Sequence, residues 1–205
     1  MKKQVKFSIA FFLIFCISQV SLVAYFVTFK EQYYKLYHIH YQQYPEDVLE
    51  NIYWLEKASK ADFANPQAAF TKITTKDEWE KYRYLFNMHI NLKLIEQHFR
   101  LGRTYDKQVA HFYDAPWKEE YLNGLKLAQQ CYATGLYYWK EAKNWAEKTK
   151  DKKFQFMFLT GVQNWEDERE RILQGSLDYE KIINRELARI EKVQQDFLAM
   201  DENTY

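Results

Sequence analysis

The stretch from Phe7 to Phe29 runs for 23 residues without a charged side chain, and its polar members are only Ser8, Ser18, Gln19, Ser21 and Thr28. A helix needs about 20 residues to cross the hydrocarbon core of a bilayer, so this run predicts a membrane-spanning helix. Lys2, Lys3 and Lys6 stand before it, and basic residues beside a span are retained on the cytoplasmic face. Residues 1–6 are therefore expected as a cytoplasmic tail and 7–29 as a single-pass inner-membrane anchor, with the remainder periplasmic. A cleaved signal peptide has an apolar core of about 7–15 residues that ends at small residues. Here Leu22 precedes Ala24 at the cleavage spacing and Tyr25 and Phe26 follow, while Phe15 before Cys16 argues against a lipid-attachment site.

Removing the three N-terminal lysines from 29 basic residues leaves 26 against 28 acidic ones. That balance lacks the basic patch a duplex-binding domain needs, so nucleic acid is not expected as a partner. Cys131 is the one cysteine beyond the apolar run, so an internal disulfide cannot staple the exported part; a small packing residue is the simplest reading of it. None of the nine asparagines lies in an N-x-[ST] sequon, which favours a bacterial periplasm over a secretory lumen.

Five glycines and three prolines punctuate the chain, and no stretch shows short alternating runs bounded by turn residues. The exported part is predicted to be all-α. Residues 30–44 are expected to continue the membrane helix outward as a stalk until the pre-proline restriction at Tyr44. The all-helical domain then occupies 45–205, with Pro45, Glu46 and Asp47 in the first turn of a helix reaching Lys60. Asn65-Pro66 starts a short helix over Gln67 to Ile73, and Thr75 with Asp77 and Glu78 caps a long one that stops at Gly102. That helix is apolar around much of its circumference and should be the central one. A shorter helix is expected over Tyr105 to Tyr113.

The helix from 116 to about 149 carries Trp117, Tyr121, Leu125, Ala128, Tyr132, Gly135, Trp139, Ala142 and Ala146 at alternating three- and four-residue steps. Small residues recur every seven on that line, which lets a neighbouring helix approach closely. Phe154 to Met200 is predicted to be helical again, bent at Gly161 or Gly175. Its distal seam of Tyr179, Ile183, Ile190, Val193, Phe197 and Met200 repeats every 3.5 residues around Glu186, and packs on the domain or on a second copy as a homo-oligomer. The run Glu166 to Arg171 reads as a solvated face of paired charges. Paired helices and the fragment Leu101-Gly102-Arg103-Thr104-Tyr105 suggest tetratricopeptide-like hairpins, although the later landmarks of that repeat are missing.

No nucleophile, phosphate loop or metal motif emerges. Ser59 and Ser176 are the serines beyond residue 29 and neither sits in G-x-S-x-G. His38 and His40 point about 200° apart on a helix, and His89 and His98 lie on opposite sides. No catalytic residue, cofactor or metal is therefore assigned. The 17 tyrosines and 6 tryptophans mostly fill a core, but aromatic residues are also enriched at interfaces. Tyr137 falls on the polar face of the 116–149 helix, and Tyr137, Tyr138 and Trp145 form the candidate partner interface.

His38-Ile39-His40-Tyr41 leading to Pro45-Glu46-Asp47-Val48-Leu49, Asn65-Pro66, Trp79 with Tyr82-Arg83-Tyr84-Leu85-Phe86-Asn87-Met88-His89, and Phe112-Tyr113-Asp114-Ala115-Pro116-Trp117 resemble the small, membrane-anchored periplasmic flagellar-collar proteins of spirochaetes. The resemblance covers about residues 37 to 145. It implies a structural subunit of the collar around the flagellar motor, with collar and motor components as partners, supporting stator placement and motility. It brings no catalytic residues. A membrane-anchored chaperone or cell-division adaptor that binds clients on a concave helical surface is the alternative the same features allow.

Overall fold

The computed structural model describes residues 26–107 and 115–200, and among them all regular structure is helical apart from one isolated bridge between Phe29 and Asp62. The described residues form six α-helices: α1 (Lys30–Gln43), α2 (Val48–Lys60), α3 (Lys76–Lys107), α4 (Ala115–Lys148), α5 (Gln163–Leu173) and α6 (Tyr179–Ala199). α1 and α2 form a short hairpin, α3 and α4 a long one, and α5 and α6 pack back across them.

Local chemistry explains most boundaries. Thr75 Oγ1 accepts from Glu78 N at 3.1 Å while Glu78 Oε2 accepts from Thr75 N at 3.0 Å, a reciprocal cap that satisfies two orphan donors at the start of α3. Asp47 and Asp178 accept from the amides of Glu50 and Lys181 and so cap α2 and α6. Pro45 and Glu46 thus lie in the turn before α2 rather than in its first turn. At the α5–α6 corner Gly175 takes φ +73, a left-handed conformation that ends a helix at little steric cost only for glycine.

Four expectations are revised. The short helix expected over Gln67 to Ile73 is a single 3-10 turn, Pro66–Ala68, capped by Asn65 Oδ1, which accepts from Gln67 N at 3.0 Å. α3 does not stop at Gly102 but continues to Lys107, because this glycine meets the Tyr132 ring: a Cβ there would stand 2.9 Å from Cζ. Close approach, not chain reversal, is its role. Of the helix expected over Tyr105 to Tyr113, the first three residues belong to α3 and the rest lie outside the described residues. Two 3-10 turns, Lys152–Phe154 and Thr160–Val162, and the loop between them stand in place of the start of a helix. Their backbone has tertiary partners instead: Met157 O accepts from Lys81 Nζ at 2.5 Å and Gly161 N donates to Thr71 Oγ1 at 3.3 Å.

Residues 7–25 of the expected span lie outside the described residues, and no described helix is long and apolar enough to cross a membrane. Residues 26–29 are not helical, and Phe29 has extended backbone (φ −105, ψ 153), so α1 does not continue outward from a span ending at Phe29. Gln32 Oε1 accepts from the amides of Thr28 and Phe29 at 2.9 and 3.1 Å. The segment expected as a stalk is helical over Lys30–Gln43, and it lies against α2 with Tyr37 buried in the common core.

α3 is the central helix, with buried residues around most of its circumference from Lys81 to Gly102. The α4 ladder is buried from Leu125 to Ala146, with Tyr121 half-buried and Trp117 exposed. α6 lays Ile183, Ile190 and Phe197 into the core against α4, so the C-terminal seam is covered within one chain. A Cβ at Gly135 would lie 3.3 Å from Ile183 Cδ1 and 4.0 Å from Phe99 Cε2. Gly135→Leu should therefore destabilise the domain by about 1–3 kcal/mol through overpacking. Thermal unfolding followed by circular dichroism checks this, and an unchanged midpoint would contradict the packing described.

Candidate functional site

The three aromatic residues proposed from sequence do not share one environment. Tyr137 is 60% exposed on α4, and its ring meets that of Tyr138 edge-on at 5.2 Å. Tyr138 is half-buried, stacked on His98 of α3 at 5.4 Å, with its hydroxyl 3.5 Å from Glu56 Oε1 of α2. Burial, aided by Glu56, pushes the Tyr138 phenol up to about 12. Trp145 is held in the body by Tyr84 at 5.9 Å, and Lys148 Nζ sits 3.6 Å from its ring centroid, a cation–π contact that covers the face of the indole. Tyr138 and Trp145 are consequently packing residues at the edge of the core, and Tyr137 alone of the three presents its ring to solvent. Tyr53 on α2 is likewise exposed, one turn before Glu56, the residue that the Tyr138 hydroxyl of α4 reaches.

A second constellation was not visible in the sequence. Tyr34 of α1 lies 2.7 Å from His89 Nε2, and His89 Nδ1 lies 2.5 Å from Glu168 Oε2 of α5. The geometry fits the tautomer in which Nδ1–H donates to the carboxylate and Nε2 accepts from the phenol. His89 is buried and stacks on Trp165 at 5.0 Å. The chain borders an open cleft of about 240 Å³ that Tyr37, His38, Tyr41 and Lys93 also line. Its order of groups, carboxylate to imidazole to hydroxyl, is that of a relay. Burial first, and then the Glu168 and Glu96 carboxylates, raise the Tyr34 phenol well above its ordinary value, so at neutral pH it keeps its proton and acts as a hydrogen-bond donor. Joining three helices is what this arrangement accomplishes.

The expected solvated face at 166–171 is present at Asp167, Glu170 and Arg171, which are exposed, but not at Glu166 and Glu168. Glu166 is 3% exposed and pairs at 2.6 Å with Lys81, itself 2% exposed, and Glu168 faces His89. Trp165 and Ile172, seven residues apart and both buried, mark the inner face of α5, and the glutamates flank that line. That spacing was the available signal. Among the described residues no group of three or more His, Cys, Asp or Glu is placed to hold a metal ion. Cys131 is half-buried, and burial raises its thiol above the ordinary value, which disfavours the reactive thiolate.

A family model described as a domain of unknown function (DUF8513) matches residues 77–200, from the first turn of α3 to the end of α6. No curated protein and no solved structure matches the chain.

Two outcomes follow from this geometry. Tyr137→Ala should leave the unfolding transition in place, because the ring lies outside the core, and should lower recovery of a partner that covers this face of α4. Co-purification from membranes at equal expression checks it, and equal recovery would make Tyr137 an ordinary surface residue. Burial lowers the His98 imidazole below its ordinary value, and neither ring nitrogen has a hydrogen-bond partner among the described residues. The unfolded chain then binds a proton below about pH 6.5 that the folded chain refuses. This contribution to stability is complete above that pH and is lost as pH falls toward the lowered folded value. Urea unfolding at pH 8 and pH 5 should show a smaller loss in His98→Phe than in the parent protein, and equal losses would place the acid sensitivity elsewhere.

Proposed function

We propose that this chain, which belongs to the DUF8513 family, is a membrane-anchored structural subunit of a periplasmic assembly, with Phe7 to about residue 25 as the single transmembrane helix and the helical-hairpin domain as its scaffold. The observation that carries the reading is the way the chain enters the domain. Tyr33 Oη donates to Val27 O at 2.9 Å, Lys30 N donates to Asp62 O at 2.9 Å, and Glu31 Oε2 accepts from Ala64 N at 3.1 Å. The first residues after the charge-free run are thus bound into the body instead of forming a loose linker. A rigid connection of this kind suits a part that must hold a fixed place beside a membrane. Membrane confinement raises the effective concentration of the domain toward other membrane components without any added contact.

The collar of the spirochaete flagellar motor is the assembly proposed, on the strength of the sequence phrases between residues 37 and 145. Under that reading the partners are collar and motor components, and the role is to support stator placement and motility. The exposed rings of Tyr53 and Tyr137 are the proposed contact surface, since a fixed aromatic side chain gives large contact area with little loss of side-chain freedom.

Replacing residues 1–25 by a cleavable export signal provides the test. The released protein should be soluble, helical and protease-resistant, and the assembly should be lost, with impaired motility if the assembly is the collar. Normal assembly by the released domain at native expression would reduce the segment to an export device and overturn the scaffold mechanism.

A further inference from the structure

Loop 155–159, between the two 3-10 turns that follow α4, presents Phe156 and Phe158 to solvent at 94% and 55% exposure. From Phe154 to Val162 the sequence carries no charge. Within it Phe154, Leu159 and Val162 are buried, so the segment is anchored by some apolar residues and displays others. It is also held firmly in place. Lys81 takes the Met157 carbonyl, and Gly161 packs so closely on residues 70 and 71 that a Cβ would lie 2.8 Å from Phe70 O. Two phenylalanines on a fixed loop are not scattered surface residues of the kind that need no explanation.

Their place in the fold supplies the explanation. The segment 26–29 docks on the C-terminal end of α2 and the loop after it, with Lys30 Nζ donating to Ala58 O and Ser59 O and Phe29 bridging to Asp62. Phe63 in that loop packs on Trp79 and Tyr82 of α3, and the adjacent Lys81 holds Met157. The entry of the chain and the phenylalanine loop therefore share one end of the bundle. Val27 is already pinned by Tyr33, and a span of about 20 residues that begins at Phe7 would use nearly all of the charge-free run before that point, which leaves a short tether. The domain cannot retreat from a membrane on so short a tether. Lys150, Lys152 and Lys153 precede the loop, with Glu147 paired to Lys150, Glu80 paired to Lys153, and Asp151 among them. Long lysine stems beside aromatic rings suit the headgroup layer, where amphipathic side chains keep their charged ends in water.

We propose that Phe156 and Phe158 insert into the interfacial region of the lipid bilayer and form a second membrane contact that sets how the domain stands on the membrane. The proposal rests on the membrane-anchor reading. Its occupant is lipid, since a short tether delivers this end of the domain to lipid whatever protein partner is present.

The test uses the full chain, with Cys16→Ser and Cys131→Ala, in bilayers of phosphatidylethanolamine and phosphatidylglycerol. A nitroxide is attached at Phe156→Cys, or at Thr104→Cys near the opposite end of α3 as a reference. The label at 156 should collide more with oxygen than with a water-soluble nickel chelate, and the label at 104 should show the reverse. A label at Gln155→Cys should share the lipid signature and lose it when Phe156 and Phe158 are both serine. Persistence of that signature in the double variant would show that the tether alone brings the loop to the surface, and would overturn insertion by the rings. An aqueous label at 156 in a chain that resists carbonate extraction overturns the docking while the anchor stands. A label shielded from both colliders points to contact with a second copy and also overturns it. If carbonate releases the chain, the anchor reading fails, and the same collision ratio with added vesicles still decides whether the loop inserts.

Discussion

The pairing of Lys81 with Glu166 is the constraint on which much of this domain depends. α3 is surrounded by other elements, so a lysine in its second turn has no route to water. Burial lowers the Lys81 ammonium below its ordinary value, and Glu166 opposes that shift. An ion pair with both members inside is weak evidence of net stability, but leaving one member without the other costs about 3–5 kcal/mol. The sequence is thereby committed to bringing α5 onto α3. Once Glu166 is fixed, Trp165 falls against Phe86 at 5.4 Å and Glu168 reaches His89. The spare donor capacity of Lys81 at Met157 then determines where the loop before α5 runs.

The tyrosine content takes its meaning from the same interior. Tyr34 touches the rings of Phe70, Phe86 and Trp165, and so joins α1, the loop after α2, α3 and α5 in one aromatic cluster. A buried phenol needs a partner for its hydroxyl, and each of these finds one within the chain. Tyr34 meets His89, Tyr82 Oη accepts from Phe70 N at 3.4 Å, and Tyr132 donates to Asp106 at 2.9 Å. Asp106 also pairs with Arg189, which ties α6 to the far end of α3. Tyrosines that suggested an interior opening onto an interface mostly complete internal hydrogen bonds. The rings of Tyr53 and Tyr137 complete none of these and stand exposed.

What could be read from the sequence was whatever local chemistry decides. The three- and four-residue ladder of α4 and the Thr75–Glu78 cap depend on neighbours within a few residues, and both are present as expected. Gly102 was misread because its helix-ending conformation and its close approach to Tyr132 look identical in sequence; a partner 30 residues away decides between them. The loop at 154–162 was misread because Lys81 and Thr71 compete for backbone groups that a helix would have used, a tertiary override of local preference. Tyr34, His89 and Glu168 come from three helices. No spacing rule could have joined them, although the Trp165 and Ile172 line showed which side of α5 faces inward.

The two ends of the long hairpin are consequently different in kind. At one end backbone and side-chain contacts bind residues 26–31 to the loop after α2, and through α3 to the loop before α5. At the other, the Asp106–Arg189 pair closes α6 onto α3. α3 separates these ends by about 48 Å at 1.5 Å per residue, so under the anchored reading the site of chain entry determines which surfaces lie near the bilayer. Tyr137 precedes Lys148 by eleven positions on α4, about 16 Å of helix from the entry end. Under the anchored reading, a partner that covers Tyr137 is therefore itself close to the bilayer. Under the same reading stiffness matters more than affinity: the buried charges and packed glycines that constrain the bundle from residue 26 onward would hold the Tyr137 surface at a fixed offset from the point where the chain enters the domain.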